Sequence, residues 1–70
     1  MSATLKINGQ EKAFEKGVPE TLSKLLDNLK IDAATVVAEI NGQIVERKDF
    51  AQTNLTEGQS VELIRFVGGG

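Results

Sequence analysis

Thr21-Leu22-Ser23-Lys24-Leu25-Leu26-Asp27-Asn28-Leu29-Lys30 is the stretch that decides the fold. Leu22, Leu25, Leu26 and Leu29 fall at i, i+3, i+4 and i+7, a full apolar stripe along one side of a helix. Ser23, Lys24, Asp27, Asn28 and Lys30 fill the other side. Thr21 is one candidate N-cap; Pro19 at the first helical position is the competing start. One helix of about three turns can cover one face of a sheet, so the flanking segments must supply that sheet.

On the N-terminal side, residues Thr4 to Asn8 alternate as a strand does, with Leu5 and Ile7 on one face and Lys6 on the other. Asn8-Gly9 is a hairpin signal, because both residues tolerate the positive φ that a type I′ turn requires. A second strand over Gln10 to Glu15 returns with Ala13 and Phe14 as its apolar content, and Lys16-Gly17 ends it. On the C-terminal side, Val36 to Ile40 reads as a strand closed by Asn41-Gly42, and Ile44-Val45 continues as a short strand. The tetrapeptide Ile-Asn-Gly-Gln stands at both 7–10 and 40–43. It reads as two independent hairpin turns rather than an internal repeat.

Residues Glu46 to Thr56 read as an irregular polar connection pinned to the core by Phe50 and Leu55. Glu57-Gly58-Gln59-Ser60 is a turn, Val61 to Phe66 the last strand, and Val67-Gly68-Gly69-Gly70 follows. The order strand, strand, helix, then at least two strands predicts an α+β fold, a mixed four- or five-stranded sheet packed on one helix. The helix region supplies the long crossover that lets the first and last strands pair in parallel in the middle. That arrangement is a ubiquitin-like β-grasp. The expected centre of the core is Leu5, Ile7, Leu22, Leu25, Leu26, Leu29, Val61 and Leu63. The expected organisation is one domain over residues 1–67 with a flexible glycine tail at 68–70.

Seventy residues suffice for one domain. A domain of this size buries only about 60% of the surface its unfolded chain exposes. Forming one core uses most of its apolar residues, which favours a binding or carrier module over a self-sufficient enzyme. With no cysteine there is neither a disulfide framework nor a thiolate nucleophile. The start of the chain shows no basic region followed by an apolar run, and no apolar stretch approaches the roughly 20 residues that span a bilayer. The expectation is a cytoplasmic protein with no membrane partner. The net charge is −2 and the eight basic residues are scattered, so no basic stripe suits nucleic acid.

The terminal glycines are the exception in a chain that otherwise reads as scaffold. They bury no side chain and cost conformational entropy if ordered. One reading is a frayed end without function. The other is chemical: a glycine strand threads a narrow channel, and a carboxylate at its tip attacks the α-phosphate of ATP to give an acyl-adenylate. The chain has no histidine, no cysteine and no phosphate-binding loop for that step. It binds no cofactor of its own on this reading, and a partner enzyme must supply ATP and magnesium.

The sequence resembles the ThiS family of thiamin-pathway sulfur carriers over essentially its whole length. The resemblance is carried by the Ile7-Asn8-Gly9 turn, the helix opening Thr21-Leu22-Ser23-Lys24-Leu25-Leu26, and Ile40-Asn41-Gly42-Gln43-Ile44-Val45 followed by Arg47. Glu57-Gly58-Gln59-Ser60-Val61-Glu62-Leu63 and the ending Phe66-Val67-Gly68-Gly69-Gly70 complete it. Family members end in at least Gly-Gly; here Gly68 precedes that pair. The resemblance implies that an E1-like adenylating enzyme, ThiF-like, activates Gly70. Sulfur from a persulfide then leaves a thiocarboxylate, and a ThiG-like thiazole synthase takes the sulfur. The chain is then a co-substrate and not a catalyst. A MoaD-like molybdopterin carrier, a ubiquitin-like protein modifier and a plain binding module are the alternatives; the short length and the Asn-Gly turns lean towards ThiS.

Alternation along the last strand puts Val61 and Leu63 towards the helix and Glu62, Ile64 and Phe66 on the outward face. Glu39 on the third strand places Val37 on that same face. Ubiquitin-like proteins dock through it, which makes Ile64, Phe66 and Val37 the candidate partner-docking residues, with burial at a sheet end as the alternative. Arg65 falls on the core side, where snorkelling and contact with an acidic partner both remain open.

Overall fold

A computed structural model of the chain describes residues 3–65. Phe66, the boundary drawn at residue 67 and the tail glycines Gly68, Gly69 and Gly70 lie outside the described residues. The elements are β1 (Ala3–Ile7), β2 (Gln10–Phe14), α1 (Leu22–Leu29), β3 (Val36–Ile40), β4 (Gln43–Val45) and β5 (Ser60–Arg65), with 3₁₀ turns at Ala33–Thr35 and Arg47–Gln52. The sheet has five strands in the order β2-β1-β5-β3-β4. β1 and β5 run parallel, and every other neighbouring pair is antiparallel. With α1 laid across one face, this is the ubiquitin-like β-grasp expected from the element order.

α1 starts where Thr21 caps it. The Thr21 hydroxyl oxygen accepts from the Lys24 N–H at 3.2 Å, which decides between the two candidate starts and leaves Pro19 outside the helix. The helix stops at Lys30, whose backbone turns left-handed at φ 59° and whose N–H donates to Asp27 and Leu26 carbonyls. Leu22, Leu25 and Leu26 are fully buried against Leu5, Val61 and Leu63 of the sheet. Phe14, Val36, Ala38, Ile40, Phe50 and Leu55 complete the core. Leu29 and Ile7 correct the expected core centre: both are only partly buried and pack at its margin. Each is the last residue of its element, where neighbouring cover runs out. Of the two apolar residues of β2, Ala13 is the one that faces out. It is exposed, because residues adjacent in a strand face opposite ways and Phe14 takes the inward position.

The stretch 46–56 is more ordered than its irregular composition predicts. Arg47–Gln52 forms 3₁₀ turns, with the Asp49 N–H donating to Glu46 O at 2.9 Å and the Thr53 hydroxyl to Asp49 O at 2.6 Å. Phe50 and Leu55 are buried, as the sequence suggested. The segment is also tied by backbone to the start of the helix, through Leu22 N–H to Thr53 O and Leu55 N–H to Glu20 O, both at 2.9 Å.

The two Asn-Gly turns have positive φ at both residues, 51° and 83° at Asn8-Gly9 and 51° and 86° at Asn41-Gly42. Both asparagines also reach across to β5, which composition did not reveal. Asn8 donates its backbone N–H to Val61 O at 2.9 Å, and then its turn takes the backbone away from the sheet. The side chain continues the ladder instead: Oδ1 accepts from Leu63 N–H at 2.7 Å and Nδ2 donates to Leu63 O at 3.2 Å. Asn41 holds the other edge of the same strand. Its N–H donates to Ser60 O at 2.8 Å and its Oδ1 accepts from Ser60 N–H at 3.0 Å. Those bonds draw Ser60 into β5, one residue earlier than the expected start.

Three stability changes follow. Leu26→Ala should cost on the order of 2–5 kcal/mol in denaturant unfolding, as buried leucine truncations do. Asn8→Gly keeps the turn geometry but strips two side-chain bonds from Leu63, and should cost about 1–3 kcal/mol. Asn41→Gly removes one such bond and should cost less than Asn8→Gly in the same measurement.

Candidate docking face

The face of the sheet opposite α1 is built by the period of two in its strands. On β3, Val36, Ala38 and Ile40 are buried, which turns Val37 and Glu39 outward. On β5, Val61 and Leu63 are buried and Glu62 and Ile64 are outward. Antiparallel register sets Val37 directly opposite Ile64, and Glu39 directly opposite Glu62. Two of the three docking candidates read from the sequence are therefore cross-strand neighbours. Ile64 is 52% exposed and Val37 is partly buried. Phe66, the third, lies outside the described residues.

Ile44 belongs to this face and was missed. It is 69% exposed and pairs with Glu39 across the β3–β4 hairpin. The signal was present in the sequence. A two-residue Asn41-Gly42 turn makes Ile40 and Gln43 partners, and the next pair outward is then Glu39 with Ile44. Ile64 and Ile44 are the exposed large hydrophobics of the described residues, and the register puts both on one face. Apolar groups exposed together in this way mark interaction sites.

Arg65 pairs with Val36 and so has the core-side parity expected of it, but at the end of β5 it is exposed. An open cleft of about 480 Å³ lies elsewhere, between β2 and α1, lined in part by Lys12, Phe14, Lys16, Pro19, Lys24 and Asn28. Its cations are partly committed locally: the Lys12 ammonium stands 5.6 Å from the Phe14 ring centroid, and Lys24 pairs with Glu20 at 3.5 Å. Among the described residues no group of three His, Cys, Asp or Glu side chains is arranged to hold a metal ion, and no helix is long and apolar enough to cross a membrane.

The chain matches the model of the ThiS family over residues 4–70, so the match runs through β1 to β5 and on through the glycine triplet. The chain belongs to the ThiS family. Among similar proteins, the sulfur carrier protein ThiS of Bacillus subtilis is 27% identical over 66 residues, covering 94% of this chain and 98% of that one. A thiazole synthase of Paramagnetospirillum magneticum is 36% identical over 66 residues. This chain spans only 20% of that longer protein's length. The crystal structure of the thiamine biosynthesis protein ThiS from Geobacter metallireducens superimposes with a TM-score of 0.82 at 34% identity, covering 96% of this chain and 99% of that one. This ThiS-family chain therefore shares fold, length and sequence with ThiS proteins across its whole described core.

If the outward isoleucines are there to be met and not to hold the sheet, polar replacement should spare the fold. Ile64→Thr and Ile44→Thr, both β-branched swaps, should each shift unfolding free energy by no more than about 0.5 kcal/mol. Leu63→Ala, one residue away on the inward face, should cost about 2–5 kcal/mol in the same assay.

Proposed function

We propose that this chain is a sulfur carrier for thiamine biosynthesis whose working atom is the terminal carboxylate of Gly70. The observation that carries the reading is the ThiS family match, which extends past the last strand to include Gly68, Gly69 and Gly70. The similar Bacillus subtilis protein, named as a sulfur carrier, supports the same role.

The chain's own residues supply position and not chemistry. With neither histidine nor cysteine anywhere in the sequence, the activating groups come from the partner. A ThiF-like, E1-like adenylating enzyme binds ATP and magnesium and presents the α-phosphate. The Gly70 carboxylate attacks it, pyrophosphate leaves, and an acyl-adenylate results. The terminal sulfur of a persulfide then displaces AMP to give an acyl disulfide. A thiol of the partner system attacks its S–S bond, taking the donor away as a disulfide and leaving the thiocarboxylate. The carbon–oxygen bond to AMP is exchanged for one to sulfur, a soft nucleophile held on a protein without free sulfide. A ThiG-like thiazole synthase is the acceptor; the similarity to part of a thiazole synthase supports that pairing. The division into a β-grasp domain over residues 1–67 and a tail at 68–70 belongs to the same reading, as does a cytoplasmic location.

The docking face fits this division of labour. Ile64 stands six residues before Gly70 in the sequence. Six extended residues span at most about 20–22 Å, which bounds the distance between a partner's grip on Ile64 and its nucleotide.

Deleting Gly70, or adding one residue after it, should abolish adenylation while leaving the fold intact. Reacting atoms must come within roughly 3–3.5 Å. Deletion withdraws the carboxylate by about 3.3–3.6 Å, and addition puts a different carboxylate and a side chain in the channel. Pyrophosphate formation with the E1-like enzyme reads the first effect. A thermal melt reads the second, where stability should move by no more than about 0.5 kcal/mol. Normal adenylation of the shortened chain would rule out Gly70 as the reacting end.

A further inference from the structure

The outward face carries a charge arrangement that the sheet itself does not need. Glu39 and Glu62 are directly opposite each other on β3 and β5. Side chains so placed have Cβ atoms about 4.5–5.5 Å apart, and like charges at that position destabilise the pairing. Elsewhere on the same face the sheet does the reverse: Lys6 on β1 is opposite Glu11 on β2. Lys6 lies diagonally from Glu62 on this face, since its β5 partner is Ser60, two residues along the strand. The one ion pair among the described residues joins Lys24 to Glu20, away from this face, so neither Glu39 nor Glu62 has an ion-pair partner within 4.0 Å among them.

On one side the two carboxylates are bordered by apolar residues. The row Glu62–Glu39 ends on Ile44, and the adjacent row is Ile64–Val37. Glu39 is partly buried among these neighbours and Glu62 is exposed. Two acceptor groups side by side, bordered by exposed isoleucines, fit a planar cation on an aliphatic stem. A guanidinium offers five donors in a fixed fork and reaches two carboxylates at once, while its methylenes lie along the isoleucines.

We propose that Glu39 and Glu62 form a receptor for an arginine side chain of the adenylating partner, with Val37, Ile44 and Ile64 as its apolar border. The proposal rests on the sulfur-carrier reading above and adds the chemistry by which the partner recognises this face. It makes the two carboxylates specificity determinants that cost the free chain stability and lower the free energy of the complex. Opposite signs of effect in the two states separate this role from a structural one.

The test uses the full chain and a purified ThiF-like adenylating enzyme from the same organism. Dissociation constants are measured by titration, pyrophosphate release is followed in parallel, and thermal melts are recorded on each variant alone. Glu39→Gln, Glu62→Gln and the double variant should melt no lower than the unsubstituted chain. The double variant should bind at least about tenfold more weakly, the loss of one charge-assisted contact, and its affinity should depend less on salt. Glu62→Lys should weaken binding further than Glu62→Gln. Asp27→Asn, the same charge change on an exposed position of α1 across the molecule, should bind as the unsubstituted chain does.

Unchanged affinity in the double variant would overturn the proposal, as would equal weakening by Asp27→Asn. Lower melting of the glutamine variants would overturn it too, since the carboxylates would then be serving the fold. An unsubstituted chain that binds the enzyme without releasing pyrophosphate would sink the sulfur-carrier reading and still leave the affinity comparison decisive for the arginine receptor. Failure to bind at all would remove the docking proposal itself.

Discussion

Ser60–Arg65 hydrogen-bonds to chain on both sides, and the remainder of the molecule is arranged around that fact. β1 meets it in parallel through Lys6 N–H to Gln59 O and Asn8 N–H to Val61 O, each 2.9 Å, and β3 meets it antiparallel over five residue pairs. A strand in this position cannot shift by one residue without exchanging its faces. Its register therefore decides at once that Val61 and Leu63 pack under α1 and that Glu62 and Ile64 stand outside. The Asn8 carboxamide fixes that register from a distance of 55 residues in sequence, by standing in for a backbone carbonyl and N–H that the turn has carried away.

Much of this was legible because it is periodic or local. The leucine spacing in residues 22–29 marks a helix whatever surrounds it, and two Asn-Gly pairs mark hairpins by their tolerance of positive φ. The buried strand residues follow from a period of two once one of them is assigned. The 3₁₀ turn at Arg47–Gln52 was not legible, because its i→i+3 bonds leave no apolar stripe and its sole anchor is Phe50. The left-handed Lys30 was equally hidden, since nothing in a lysine advertises a C-cap. The candidate face divides in the same way. Val37 and Ile64 follow from alternation. Ile44 follows from hairpin arithmetic, and the Glu39–Glu62 pair from a register that links residues 23 apart in sequence.

The polar groups inside the scaffold are committed to the fold itself. Among the described residues, no buried side-chain nitrogen or oxygen lacks a hydrogen-bond partner. The buried polar side chain is Thr21, and its hydroxyl is committed to the helix cap. Leaving such a group unpaired would cost about 1–3 kcal/mol, so full satisfaction is part of what holds a core this small together.

The central place of β5 also bears on synthesis. The ribosome delivers β1, β2, α1, β3 and β4 first, yet the strand that joins the two hairpins is made afterwards. Until residues 60–65 emerge, each hairpin has an open edge and α1 has only part of its floor. Contacts of such long sequence separation form late and cost loop-closure entropy before they stabilise anything. A chain released early, short of β5, consequently has no folded face to offer. The strand made last is the one that carries Glu62 and Ile64, so the outward face exists only once β5 has docked between β1 and β3.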